Sequence, residues 1–520
     1  MCGPCQSFWD YRERYRQCME TAAAMQTAEP GQGYENLSGP LPVNERLVQT
    51  IWAQQLIQGS GLRLVGGATL RVLDPGRWNG AAGPDFRDAS LLIDGQPVAG
   101  DVEIHLEACD WSAHGHHRDL DFNNVILHAC LRSPDGRKGD ARHNGTIVPR
   151  FEMEPYVFPD LETLRRSLTP DDFEYTRPQR AGRCFELMRT LSAQEVGDFL
   201  DRAGDERLVG KMQRLEDQLA DADLEQVFYQ ALLTALGSGS GRTLFYLLAK
   251  RTPIAELCDY VRDWPEARWP MVFESLLLHV AGLAPGEAEL REAPAEARER
   301  ADQLRRIWDR LEPYWADRLI PPTRRWFKGI RPVNFPTRRL AAVACLLSRS
   351  LREGRCPLDP FVERLVAGAA SLRTARPTRR RHPLLRELVE RLTVSGHGHF
   401  WGRHYSFTAR PAPCPMNLIG EGAATSLLLN AVLPAALLHA RVSGDETALE
   451  ATERLFGFVP PLQPNHITEF MTRRLFEEES AKALINTERR RQGLFQIFHH
   501  CCKGEERDCA RCYYFTNPAS

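Results

Sequence analysis

No run of about 18 apolar residues occurs in this chain of 520 residues, so no segment reads as a membrane-spanning helix. The most apolar stretch, Thr425 to Ala440, is shorter and carries Asn430, Pro434 and His439, which reads as a buried helix. An excess of one charge is missing too: 66 Lys plus Arg stand against 68 Asp plus Glu, a formal charge of −2. Binding to nucleic acid or to an anionic surface must therefore come from a local patch. Cysteine is sparse, 14 residues, too few for a disulfide scaffold. Cys130, Cys258 and Cys345 sit alone in apolar surroundings and read as small core residues. The first residues, MCGPCQSFWDYRERYRQ, hold no apolar core of the secretory kind, so a cytoplasmic setting without a membrane partner is expected. No repeat of fixed period is visible.

What is present supports real cores, with 43% hydrophobic and 26% charged residues. The length suggests about three domains. Residues 1–40 read as an extension ending in a Pro/Gly-rich linker. From Val43 the spacing of Leu47, Ile51 and Leu56 predicts a helix. Strand patterns follow: Ala89, Leu91 and Ile93 alternate, Asp94-Gly95 signals a tight hairpin, and Val102, Ile104 and Leu106 alternate again. Val125 to Leu131 is nearly all apolar and predicts a central buried strand. After about residue 160 the period becomes helical, as in Ala193–Leu219, Trp269–Ala284, Arg338–Arg352 and Ala423–Arg441. The expected class is α+β: a sheet domain over residues 41–160, a large all-α region over 161–490, and a Cys-rich tail over 491–520.

The hairpin carries the chemistry. Asp101, Glu103 and His105 alternate along its second strand, and folding at Asp94-Gly95 brings Asp85 beside Glu103 and His105. Two carboxylates that close repel unless a cation lies between them, and hard oxygen ligands favour Mg²⁺ or Mn²⁺. Such an ion activates water for attack at phosphorus. The alternative is a solvated strand face. Company lowers its weight: DWSAHGHHRDLDFNNVILH places His114, His116, Asp119, Asn124 and His128 just past Glu103, as expected of a site wall. His128 also reads as a hydrogen-bonded core histidine. The histidines could instead bind Zn²⁺, although the His114-Gly-His116 spacing differs from the helical i, i+4 pair of zinc hydrolases.

A helix with an acidic residue, then Gly83-Pro84-Asp85, a hairpin, and Glu103-Ile104-His105 resembles the PD-(D/E)XK nuclease superfamily. The resemblance implies a mixed sheet of restriction-endonuclease-like type. It also implies Asp85 and Glu103 as metal ligands, Glu45 as an assisting acid, and His105 where a lysine that positions water is expected. Over most of its length the chain also resembles a bacterial family recorded as a domain of unknown function, number 2851. The shared segments include NERLVQTIW, GPDFRDASLLIDG, GDVEIHLEACDWSAHGHHRD, FNNVILH, ERLVGKMQRL and IRPVNFPTRRLA.

In the helical half, Arg331 and Arg338 flank a Pro-bounded corner that either binds an anion or only packs. Arg379, Arg380 and Arg381 belong to a loop of five arginines, either phosphate contacts or a solvated loop. Cys509-x-x-Cys512 with Cys501, Cys502 and His499-His500 forms a knuckle for Zn²⁺, or alternatively an iron–sulfur cluster. Three functions remain open at this point. One is a divalent-metal phosphodiesterase acting on nucleic acid, with the helices as substrate or partner platform. Another is a non-catalytic scaffold for nucleic acid or protein. The third is a zinc hydrolase built on the histidine loop.

Overall fold

The computed structural model describes residues 43–58, 61–79, 83–168, 184–237, 240–321, 330–354, 356–376, 381–476 and 478–502. The chain divides into two compact units, one spanning Pro40–Pro178 and the other Gln179–Ser520 together with the N-terminal segment. The class is α+β, a mixed sheet followed by many helices.

The first unit opens with helix α1 (Glu45–Ala53), capped by Asn44, whose side-chain oxygen accepts from Leu47 N at 3.0 Å. Leu47, Val48, Ile51 and Trp52 form its buried face. An eight-stranded sheet follows: β1 (Leu62–Arg63), β2 (Thr69–Asp74), β3 (Arg77–Trp78), β4 (Phe86–Ile93), β5 (Gln96–Glu107), β6 (Val125–Arg132), β7 (Gly139–Ala141) and β8 (Ile147–Glu152). The order is β1-β2-β4-β5-β6-β8-β7, with β3 also on β4. β6 runs parallel to β5 and β8; the other pairs are antiparallel. Between two parallel neighbours, β6 is buried on both faces along most of its length, which accounts for its nearly continuous apolar run around His128. Short helix α2 (Asp110–Ala113) and 3₁₀ turns at His116–Arg118 and Leu120–Asn124 make the β5–β6 crossover. Helix α3 (Leu161–Ser167) closes the unit.

The β4–β5 hairpin turns at Asp94 and Gly95, both with positive φ (47° and 79°), as its two-residue loop requires. The Asp94 carboxylate fixes the turn by accepting from Thr69 N at 2.7 Å. The β4–β5 register slips between Phe86 and Ala89, where Asp88 has φ +59°, and the β5–β6 register slips between Asp101 and Val102. These bulges re-aim side chains at the start of β4 and the middle of β5.

The second unit is helical. Helix Trp269–Val280 packs on helices Ala295–Trp315 and Pro336–Glu353. One described helix, Glu421–Ser443, is long and apolar enough to cross a membrane, and most of it is buried within the protein. Pro434 has no N–H to give to the preceding turn, and the helix widens into a π-turn at Leu428–Val432 just before it.

Candidate metal centre

Three elements of the sheet unit bring acidic groups together. Asp85, at the start of β4, donates its backbone N–H to Glu103 Oε2 on β5 at 3.0 Å. Its own carboxylate accepts from Ile104 N at 2.9 Å and from Gln49 Nε2 at 2.8 Å. Gln49 also reaches Glu45 Oε1 at 3.2 Å, tying both α1 residues to the hairpin. Burial, then the charge of Glu103, pushes Asp85 well above the carboxylate range. Glu103 is 5% exposed, and burial raises it likewise. Glu45 is pushed up to about 7, by burial first and Asp85 second.

The sign of that last shift sets an expected result. A carboxyl raised from 4.5 to about 7 holds its proton more tightly in the folded than in the unfolded chain. Its stabilising contribution is complete below the unfolded value and is lost as pH rises through about 7. In chelator, Glu45→Gln should therefore gain stability over wild type between about pH 5 and about pH 8, by roughly 1–3 kcal/mol. Urea unfolding at both pH values checks this; a difference that does not change with pH contradicts it.

On the other side of Glu103 stands a histidine array. His105 Nε2 lies 3.1 Å from His114 Nδ1 and 3.2 Å from His116 Nε2. Glu103 Oε1 is 3.1 Å from His116 Nε2 and 3.6 Å from His105 Nε2. The three histidines could hold one metal ion, their ligand atoms all lying within 4.8 Å of one another. Local sequence explains the convergence. His114 ends α2, and Gly115 takes φ +79°, a left-handed turn that reverses the chain before His116. A helix would have separated these two rings; the turn folds them onto β5. Trp111 and Phe122 then pack on His116, with ring centroids at 5.4 and 3.9 Å, and Trp111 hydrogen-bonds Ala141 O at 3.0 Å. Burial pushes His116 down to about 4 and His105 lower still, so both are neutral at physiological pH.

Among the other candidates, only His128 touches the array. The Asp101 carboxylate accepts from Arg87 Nη1 and Asp88 N, each at 3.2 Å, bracing the bulge. Asp119 is exposed and caps the 3₁₀ turn through Asp121 N at 2.9 Å. Asn124 is exposed. His128 is fully buried, with His105 Nδ1 at 2.9 Å and Asp140 Oδ2 at 2.7 Å. Asp140 and its partner Arg150, like Gln49, were missed from sequence. They lie on separate elements, with no local spacing to connect them.

In the helical unit, Arg331 is exposed. Arg338 corrects the anion-corner alternative: it is fully buried, and its guanidinium donates to the carbonyls of Trp401, His404 (3.1 Å) and Asn417 (3.2 Å). Desolvated, with Nη1 and Nη2 donating to backbone oxygens and Nε buried, it is a packing element shielded from a phosphate in solvent. Arg381 pairs with Glu421. Arg379 and Arg380 lie outside the described residues, as do Cys509, Cys512 and the 1–40 extension. Cys501 and Cys502 end the described chain, and Cys502 is half-buried.

Residues 45–464 match the family model described as "Protein of unknown function (DUF2851)". The chain belongs to that family. No curated protein and no solved structure matches it. The family match spans α1, the whole sheet, both halves of the candidate centre and most of the helical unit.

Proposed function

We propose that this protein is a metal-dependent hydrolase, with His105, His114 and His116 as ligands and Glu103 as the base beside them. The observation that carries this is the convergence of three imidazole nitrogens within 4.8 Å of one another next to a buried carboxylate. Ligand atoms about 2.0–2.1 Å from a tetrahedral ion stand about 3.3–3.4 Å apart. The 3.1 and 3.2 Å separations at His105 lie close to such edges. Three imidazoles suit Zn²⁺ or another transition metal better than the Mg²⁺ or Mn²⁺ expected from two carboxylates. When bound, the ion would supply Lewis acidity and lower the pKa of a water. Glu103 would take that water's proton: burial has already raised its proton affinity, and Asp85 N–H holds it in position. His114 is exposed, which leaves the array open to a substrate on that side.

The reaction class we favour is phosphodiester hydrolysis, with nucleic acid as substrate. It is supported by the positions of Glu45, Asp85 and Glu103 on a helix and the two strands of a hairpin, the arrangement implied by the resemblance to PD-(D/E)XK nucleases. In this reading His105, at the lysine position, is a ligand rather than a positioner of water. The test is metal analysis of the purified chain, followed by chelation and re-addition of Zn²⁺, Mn²⁺ or Mg²⁺. Hydrolysis is followed on bis(p-nitrophenyl) phosphate, DNA and RNA. We expect one transition-metal ion per chain and turnover that disappears and returns with it. Undiminished turnover after chelation sinks the proposal, and a chain that binds no ion and turns nothing over leaves a scaffold.

A further inference from the structure

Behind His105 runs a hydrogen-bonded chain that no ligand needs for contact. Arg150, 2% exposed in its side chain, grips Asp140 with two bonds of 2.5 Å, one to each carboxylate oxygen. Asp140 Oδ2 also faces His128 Nδ1 at 2.7 Å, and His128 Nε2 faces His105 Nδ1 at 2.9 Å. Residues from β8, β7, β6 and β5 thus form one line ending at the histidine array.

The proton positions along this line follow from its far end. Asp140 is held ionised: burial opposes its charge, but the bonds from Arg150 and His128 outweigh this and keep it below the usual carboxylate range. An ionised carboxylate only accepts, so the proton between Asp140 and His128 is on His128 Nδ1. A neutral imidazole has one N–H, so His128 Nε2 is an acceptor. It therefore takes its hydrogen from His105 Nδ1. That leaves His105 Nε2 as a bare lone pair aimed at His114, His116 and Glu103. A doubly protonated His128 would reverse the last bond, but its ring is fully buried and the Asp140 Oδ2 it faces is already held by the Arg150 guanidinium, an arrangement that leaves a second positive charge without a counterion of its own.

We infer that Asp140, locked by Arg150 and acting through His128, is a positioning residue that fixes His105 in the tautomer able to ligate a metal ion through Nε2. The inference rests on the metal reading above and deepens it. A carboxylate behind a ligating histidine orients the ring and raises its basicity, and loss of such a partner weakens metal affinity about 10–100-fold. Here the carboxylate works at one remove, through a second imidazole.

Two measurements test it on the full chain. Long-range ¹H–¹⁵N correlation in the metal-free protein reads the tautomers directly: we expect N–H at Nδ1 of both His105 and His128. A proton on His105 Nε2 overturns the inference whatever the metal data show. The second compares wild type with Asp140→Asn, whose amide can turn its N–H₂ toward His128 and invert the chain. We expect Asp140→Asn to bind Zn²⁺ about 10–100-fold more weakly and to shift the Co²⁺ visible spectrum. Equal affinity and an unchanged spectrum in a folded variant overturn the relay and leave the metal reading intact. If wild type binds neither Zn²⁺ nor Co²⁺, the metal reading fails by itself, and the tautomer measurement still decides the hydrogen-bond order. That measurement needs no variant, so a misfolded Asp140→Asn does not remove the test.

Discussion

Glu103→Gln should lower phosphodiester turnover by about 10²–10⁴-fold while the protein keeps its metal ion. A positioned base contributes about 10²–10⁴-fold, and Gln is nearly isosteric but cannot take a proton. The amide oxygen can still accept from Asp85 N–H, the bond that closes the hairpin over the site, so the fold should hold. The three histidine nitrogens that would bear the ion are untouched. The informative readout is the split between two measurements, metal content per chain and kcat. Metal retained with kcat collapsed assigns Glu103 the role of base. Metal lost with kcat makes it a fourth ligand. Turnover within about threefold of wild type would remove Glu103 from the mechanism altogether.

The largest expected effect on stability belongs to the helical unit. Arg338→Ala should destabilise the helical unit by about 3–5 kcal/mol, since it strips donors from buried carbonyls, each worth about 1–3 kcal/mol when left unsatisfied. Its guanidinium serves Trp401 O, His404 O and Asn417 O, so one side chain pins residues some 60 to 80 positions downstream. Arg338→Lys should recover only part, because one ammonium does not reproduce the planar fork. Urea midpoints of the three proteins measure this. An Arg338→Ala midpoint matching wild type would mean that these carbonyls find water instead, and that Arg338 carries little of the corner.

Much of the acidic half of the centre was legible in the chain. Asp94-Gly95 specifies a two-residue turn that returns the chain toward Asp85; the turn alone sets position 85 opposite 104, and the register slip between Phe86 and Ala89 moves it opposite 103, where Asp85 N meets Glu103 Oε2. The helix before it was legible from its apolar spacing, and the buried central strand from its nearly continuous apolar run. The partners of Asp101 were not legible, for a local reason. Strict alternation groups it with Glu103 and His105, but bulges near Asp88 and Val102 hand its carboxylate to Arg87 and Asp88. Period-two reasoning has no term for an inserted residue.

The histidine array shows a different limit. Its spacing argued against a zinc hydrolase because helical ligand pairs are four apart. Gly115, at φ +79°, does by a left-handed turn what a helix does by periodicity. The sequence alone determines the family, the α+β order, the hairpin, and the crowding of acids and histidines within one short stretch, because each depends on local periodicity or turn chemistry. Tertiary structure alone decided which nitrogens face one another, that Asp140 and Arg150 stand behind them, and that Arg338 is sealed from solvent. Those facts depend on the register of strands and helices distant in the chain, where packing and desolvation, rather than spacing, choose the partners.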